Sequence, residues 1–340
     1  MKKRNLFIYL LVLIMVISII SGCTNSQSTT NGEKTANDEL PYITIVTAPL
    51  GSGWYPISVL YGEFWMNQVE GLNVSVLEGG SVANIKAVSD GIDANVGWCY
   101  TTDLDDAKAG TGVFEKKYEN CAPIGATYPV WLNIITLENS NINSIEDLLT
   151  AKANYGGVGS GSELAAQRLL EVGYGFNYDD IKKNGGTVEY GNYVDAATQL
   201  GDRNIEVMLA GGSPEVPPAR EQEVQNQLRL VPASKEALEK VASSGYNYII
   251  DRPIPANTYA GQVEPVPAIA YQSLVVVNKS LPDDLVYVMT KEMWENIERV
   301  RTEQPARGNL MDISTALEGV DLEDLHPGAE RYYKEVGLIK

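Results

Sequence analysis

The chain is poor in the side chains that hydrolytic and metal chemistry draw on. It holds one histidine, His326, and three cysteines. Cys99 and Cys121 cannot close a four-ligand zinc site without added histidine, and His326 sits in Leu325-His326-Pro327-Gly328, which reads as a surface turn or helix start. No metal is expected. A serine hydrolase would have to recruit the same imidazole, and neither Gly51-Ser52-Gly53 nor Gly159-Ser160-Gly161 fits a Gly-x-Ser-x-Gly elbow. Both triplets also lack the third glycine of the dinucleotide fingerprint, and no Gly-Lys-Ser/Thr follows either, so no nucleotide cofactor is expected. Positive charge is scarce: 26 Lys and Arg stand against 44 Asp and Glu, a formal charge of −18. Such a chain repels phosphate backbones and anionic lipid surfaces, which excludes nucleic acid as a partner. Forty-four carboxylates guarantee chance acid pairs, so they give no basis for a glycosidase. After residue 20 no apolar run approaches membrane-spanning length. There is no internal repeat.

What is present begins with an export signal. Lys2, Lys3 and Arg4 precede an apolar run over residues 6–20, and Ile20-Ser21-Gly22-Cys23 follows as a lipoprotein box. The run is short for a spanning helix. Residues 1–22 are expected to be a cleaved lipoprotein signal peptide, with Cys23 carrying lipid (palmitate among its acyl groups); the bland alternative is an uncleaved anchor. Residues 23–40 are polar and read as a flexible tether. The mature protein is then exported and lipid-anchored on the outer (or periplasmic) face of the cell membrane. In that compartment Cys99 and Cys121 can form a disulfide, or remain two buried thiols.

From residue 41 strands and helices alternate. Strands at 42–47, 72–77 and 95–98 enclose helices at 56–69 and 81–91, a βαβαβ run that favours a parallel sheet with helices on its faces. Further strands are predicted at 124–128, 131–136, 155–159 and 206–210, and 268–277 is long and apolar enough to cross between lobes. The stripe Leu285, Met289, Met293, Ile297 and Val300 predicts an amphipathic helix. Ligands of open α/β sheets bind beyond the carboxyl ends of strands. Five loops take that position: 51–55, 79–81, 98–102, 159–162 and 211–213. They supply Ser52, Gly53, Trp54, Tyr55, Gly80, Ser81, Trp98, Tyr100, Thr101, Ser160, Gly161, Ser162, Gly212 and Ser213 as candidate ligand-binding residues, with Trp131 close by. Three of the loops lead into helices, whose free N–H groups suit a carboxylate or phosphate. The rings suit an apolar or cationic group, or else pack in the core. Ser160 and Glu163 have capping-box spacing, so Ser160 can spend its hydroxyl on its own helix.

These loops resemble those of the TAXI family of solute-binding proteins, the extracytoplasmic receptors of TRAP transporters. Ser52-Gly53-Trp54-Tyr55-Pro56 is similar to the family's Gly-Gly-Thr-Tyr-Tyr-Pro. Gly79-Gly80-Ser81-Val82-Ala83-Asn84 resembles its Gly-Ser-Val-Glu-Asn, and Gly157-Val158-Gly159-Ser160-Gly161-Ser162-Glu163-Leu164 its Val-Gly-x-x-Gly-Ser-Gly-Thr-Glu-Leu. Segments at 254–262, 281–287 and 325–329 follow in family order. The resemblance implies a two-lobed, type II periplasmic-binding-protein-like α/β fold: a parallel-type sheet in each lobe, two hinge crossover strands, and ligand in the cleft. Lobe one is placed at 41–136 and 276–340, and lobe two at 137–275. It implies a monomeric receptor, not an enzyme, that delivers a small organic solute, a carboxylate such as glutamate or a related acid, to TRAP-type membrane permease subunits. Where the family often shows Gln-Ser-Asp, this chain has Trp98-Cys99-Tyr100-Thr101-Thr102, which points to a bulkier or less polar ligand. The alternatives are a binding lipoprotein of an ABC importer or sensor kinase, and an exported enzyme.

Overall fold

The computed structural model describes residues 42–48 and 52–340; the leader, Cys23 and the tether lie outside the described residues. β1 (Ile43–Val46), α1 (Trp54–Gln68), β2 (Val74–Leu77), α2 (Ser81–Asp90) and β3 (Val96–Tyr100) form the βαβαβ run. β1 pairs in parallel with β2 and with β3, and the helices provide the crossovers that parallel strands require. α2 stops at Gly91, whose φ of 66° is left-handed and suits glycine. α3 (Thr101–Ala109) follows β3 directly. The loop expected at 98–102 is therefore a strand end and a helix start.

β4 (Cys121–Leu137) is one strand of 17 residues where the sequence suggested two. Its prolines do not end it because pairing to the neighbouring strand slips between Pro123 and Gly125 and between Ala126 and Pro129, so each proline falls at a register shift. Next come β5 (Lys152–Asn154), α4 (Gly161–Arg168), α5 (Tyr178–Lys183), β6 (Thr187–Glu189), α6 (Tyr193–Gly201), β7 (Val207–Gly212), α7 (Pro217–Gln222), β8 (Leu228–Leu230) and α8 (Lys235–Ala242). The strand expected at 155–159 ends earlier, at Asn154. Gly156 and Gly159 have φ of 84° and 70°, which a strand does not accommodate, and they turn the chain into α4. β9 (Ala270–Asn278) leads to α9 (Asp283–Glu295), α10 (Ile297–Glu303), α11 (Pro305–Gly308) and α12 (Pro327–Glu335). The apolar stripe read as one helix thus spans α9 and α10, which part at Asn296.

The strands make one mixed sheet in the order β2-β1-β3-β9-β4-β7-β5-β6, with β8 also on β4. β9 lies between β3 and β4, antiparallel to both. β5 is parallel to β6 and β7, while β7 and β8 run antiparallel to β4. Two parallel groups of strands therefore meet through β4 and β9. Ile43, Tyr61, Trp65, Trp98, Val275, Met289 and Tyr333 of the first group are buried in a cluster that continues onto the second through Ala153, Val207 and Leu209.

This topology decides the cysteines. Cys99 pairs with Leu274 and Cys121 with Asn278, both on β9. A whole strand lies between them, and their partners on it are four residues apart, so their Cα atoms stand at least two strand spacings, about 10 Å, apart, beyond the roughly 7 Å that a disulfide tolerates. Both are free, buried thiols, and burial pushes Cys121 up to about 12. The disulfide is not formed.

Candidate functional site

The loops after β1, β2, β5 and β6 and the ends of β3 and β7 open on one cleft of about 790 Å³. Ser52, Gly53, Trp54, Gly80, Ser81 and Tyr100 line one wall; Ser160, Gly161, Ser162, Gly212 and Ser213 line the other. The walls come from the two strand groups.

On the first wall Trp54 Nε1 donates to Ser273 Oγ at 3.0 Å, which fixes the indole on β9. Its ring lies 4.7 Å from that of Tyr100. Ser81 Oγ accepts from the Tyr100 backbone N–H at 3.2 Å. The N-cap of α2 is Gly80, which has no side chain to cap with, and its own N–H donates to Asn84 Oδ1 at 3.1 Å. On the second wall the Ser160 and Ser162 hydroxyls are already engaged. Ser160 Oγ accepts from Glu163 N–H at 3.3 Å as the cap of α4. Ser162 Oγ and Tyr193 Oη lie 2.6 Å apart, and Tyr193 Oη accepts from Gly211 N–H at 2.9 Å. Burial raises the Tyr100 and Tyr193 phenols, so both stay neutral.

The walls touch. A β-carbon on Gly161 would lie 2.0 Å from Tyr100 Cδ2 and 2.9 Å from Asp103 Oδ2. The ring therefore covers the start of α4, and only glycine fits beneath it. Beside this contact Arg168 of α4 reaches Asp103 at 3.2 Å and pairs with Asp106, both on α3, and it donates to Tyr248 Oη at 3.2 Å. The Arg168 side chain is 8% exposed and that of Asp103 0%. Burial raises the Asp103 carboxyl even though the Arg168 charge opposes that rise.

Four predicted residues are elsewhere. Trp98 is fully buried one layer beneath Tyr100, donates to Ser58 Oγ at 2.7 Å and stacks on Tyr61. Trp131 follows Val130, which lines the cleft, so strand alternation turns it to the opposite face; its Nε1 donates to Arg252 O at 2.8 Å. Thr101 is buried against Gly319, and Tyr55, half-buried on α1, does not line the cleft.

Sequence reasoning missed Tyr128, Tyr193 and Arg307, all of which line the cleft. Arg307 is the one cation among the described residues that do so. No motif marked it. The available signal was Pro305, which starts the short helix α11 that carries it. His326 is buried at the start of α12, where its Nδ1 accepts from Gly328 N–H at 3.2 Å, and it takes no part in the cleft.

Comparison with known proteins agrees with this architecture. A model of the NMT1-like family matches residues 45–337. The periplasmic binding protein BugD superposes with a TM-score of 0.52 at 14% identity, over 87% of this chain and 97% of its own. The alkanesulfonate-binding protein SsuA from Xanthomonas axonopodis pv. citri, bound to MOPS, superposes with a TM-score of 0.50 at 12% identity, over 87% and 84%. At such identities the likeness concerns the fold, which is the two-lobed periplasmic-binding-protein fold.

Proposed function

The chain belongs to the NMT1-like family, and from that premise we propose that it is an exported solute receptor that captures a small organic acid between its two lobes. The observation that carries this is the cleft: about 790 Å³ in volume and walled by loops from both strand groups. We place lobe one at 41–136 and 276–340 and lobe two at 137–275; that β4 and β9 each pass from one strand group to the other supports a division that falls within these two strands. A ligand that touches both walls selects the closed arrangement. In this reading no bond is made or broken. Lipid on Cys23 holds the receptor at the membrane, and the closed form is offered to a permease. The receptor-like segments of the sequence support a TRAP-type permease. The likeness in fold to an alkanesulfonate-binding protein supports a second reading, a binding lipoprotein of an ABC importer.

A thermal-shift screen of the mature protein with organic acids, amino acids, amines and sugars tests the reading, since selective binding raises stability by mass action. The expected result is stabilisation by a narrow set of solutes, each recovered unchanged after long incubation. Recovery of a chemically altered solute, abolished by a substitution in the cleft, would contradict it.

A further inference from the structure

We infer that Arg307, together with Tyr128 and Ser52, forms the acid-binding end of the cleft; this rests on the receptor reading above and adds where the ligand's acidic group sits. The Arg307 side chain crosses the face of Gly53. A β-carbon there would lie 2.3 Å from Arg307 Nε, 2.6 Å from its Cδ and 2.8 Å from Tyr128 Oη. Guanidinium and phenol thus converge on a residue of the wall that has no side chain. Neither the Arg307 guanidinium nor the Tyr128 hydroxyl has a hydrogen-bond or ion-pair partner among the described residues. The neighbouring Ser52 Oγ is buried without a partner. Three donors without acceptors line one end of a cavity. A carboxylate or sulfonate answers all three, because a guanidinium offers parallel N–H groups to two oxygens of one acid.

The rest of the cleft turns an acid toward that end. Its other charged residues, Glu78 and Asp195, are carboxylates, and Asp195 accepts from Asn192 Nδ2 at 2.7 Å. The start of α4, which the sequence offered as an anion site, lies under the Tyr100 ring with the Asp103 carboxylate beside it. The acid therefore settles on the lobe-one wall at Arg307, and the remainder of the ligand extends past Trp54 and Tyr100 to Ser162 and Ser213 opposite.

The test is titration calorimetry on the mature protein with L-glutamate, 2-oxoglutarate, pentanoate, pentanesulfonate, putrescine and glucose, repeated on Arg307→Gln, Arg307→Lys and Tyr128→Phe, with circular dichroism as the check on folding. At least one of the four acids is expected to bind. Arg307→Gln should weaken it at least tenfold, Arg307→Lys should recover part of the loss, and Tyr128→Phe should weaken it by a smaller factor. Should Arg307→Gln fail to fold, Arg307→Lys and Tyr128→Phe still decide. Full affinity for an acid in the folded arginine variants would overturn this assignment and leave the receptor reading intact; binding of putrescine or glucose alone would overturn it together with the acid as solute, leaving only a solute receptor. Binding of no probe of any charge would count against the receptor reading itself.

Discussion

A methyl group on Gly53 has no room, and that makes the residue a probe of its neighbours. Gly53→Ala would place the methyl on Arg307 Nε and against Tyr128 Oη. Arg307 is half-buried and can swing away. The fold should hold while affinity for an acid falls at least tenfold, about 1.4 kcal/mol, as calorimetry would show; unchanged affinity would place the acid elsewhere. A second probe is His326. Burial lowers its pKa, and its Nδ1 must stay unprotonated to accept from Gly328 N–H. The unfolded chain then binds more protons than the folded one between the lowered value and about 6.5, so this residue's contribution is complete above 6.5 and declines as pH falls below it. His326→Asn keeps a capping acceptor and removes the titration. Its melting temperature should drop less than that of the wild type between pH 7 and pH 5.5; equal drops would show that His326 is not the group responsible. The serines and glycines of the cleft were legible because turn chemistry is local. Arg307 was not: it meets Gly53 only through the fold, and one arginine among many carries no local sign. Trp98 and Tyr100 share a strand face, and only depth under α1 separates the fully buried ring from the one that lines the cleft, which alternation cannot report.

Between elements, the pairing of α3 with α4 is the most exposed to mutation. Arg168 pairs with Asp103 and Asp106 in a site where all three side chains are at most 9% exposed. Arg168→Met leaves two buried carboxylates without their cation and should cost about 3–5 kcal/mol at neutral pH. Urea unfolding would measure it. Asp103 already has a raised pKa from burial, and losing the arginine raises it further, so the penalty should shrink as pH falls and that carboxyl takes up a proton. A cost below 1 kcal/mol at pH 7 would mean that α3 and α4 part readily in solution. The thiols offer a simpler check on β3, β9 and β4. Cys99 and Cys121 should both react with a thiol reagent in denaturant without prior reduction, whereas a bridged pair would be silent. The βαβαβ run was legible because α1 and α2 have clear starts and stops. β4 was not, since its prolines read as breaks and only pairing with β9 shows them to be register shifts.

At the scale of the whole molecule, length and the alternation of strand and helix already suggested two α/β lobes, and the continuous sheet shows how they join through β4 and β9. The lobe division already set 52–55, 80 and 81 against 160–162 across the cleft; which residues from later in the chain join these walls, Arg307 among them, was not legible, because β4 and β9 bring together segments far apart in the chain. The account stands on both walls gripping one solute. Hydrogen–deuterium exchange of the mature protein, with and without a solute that stabilises it, tests this most directly. Exchange should slow together at 52–54, 79–81 and 157–162, with the core strands unchanged. Slowing on one wall only, or at a surface away from these loops, would contradict capture between the lobes.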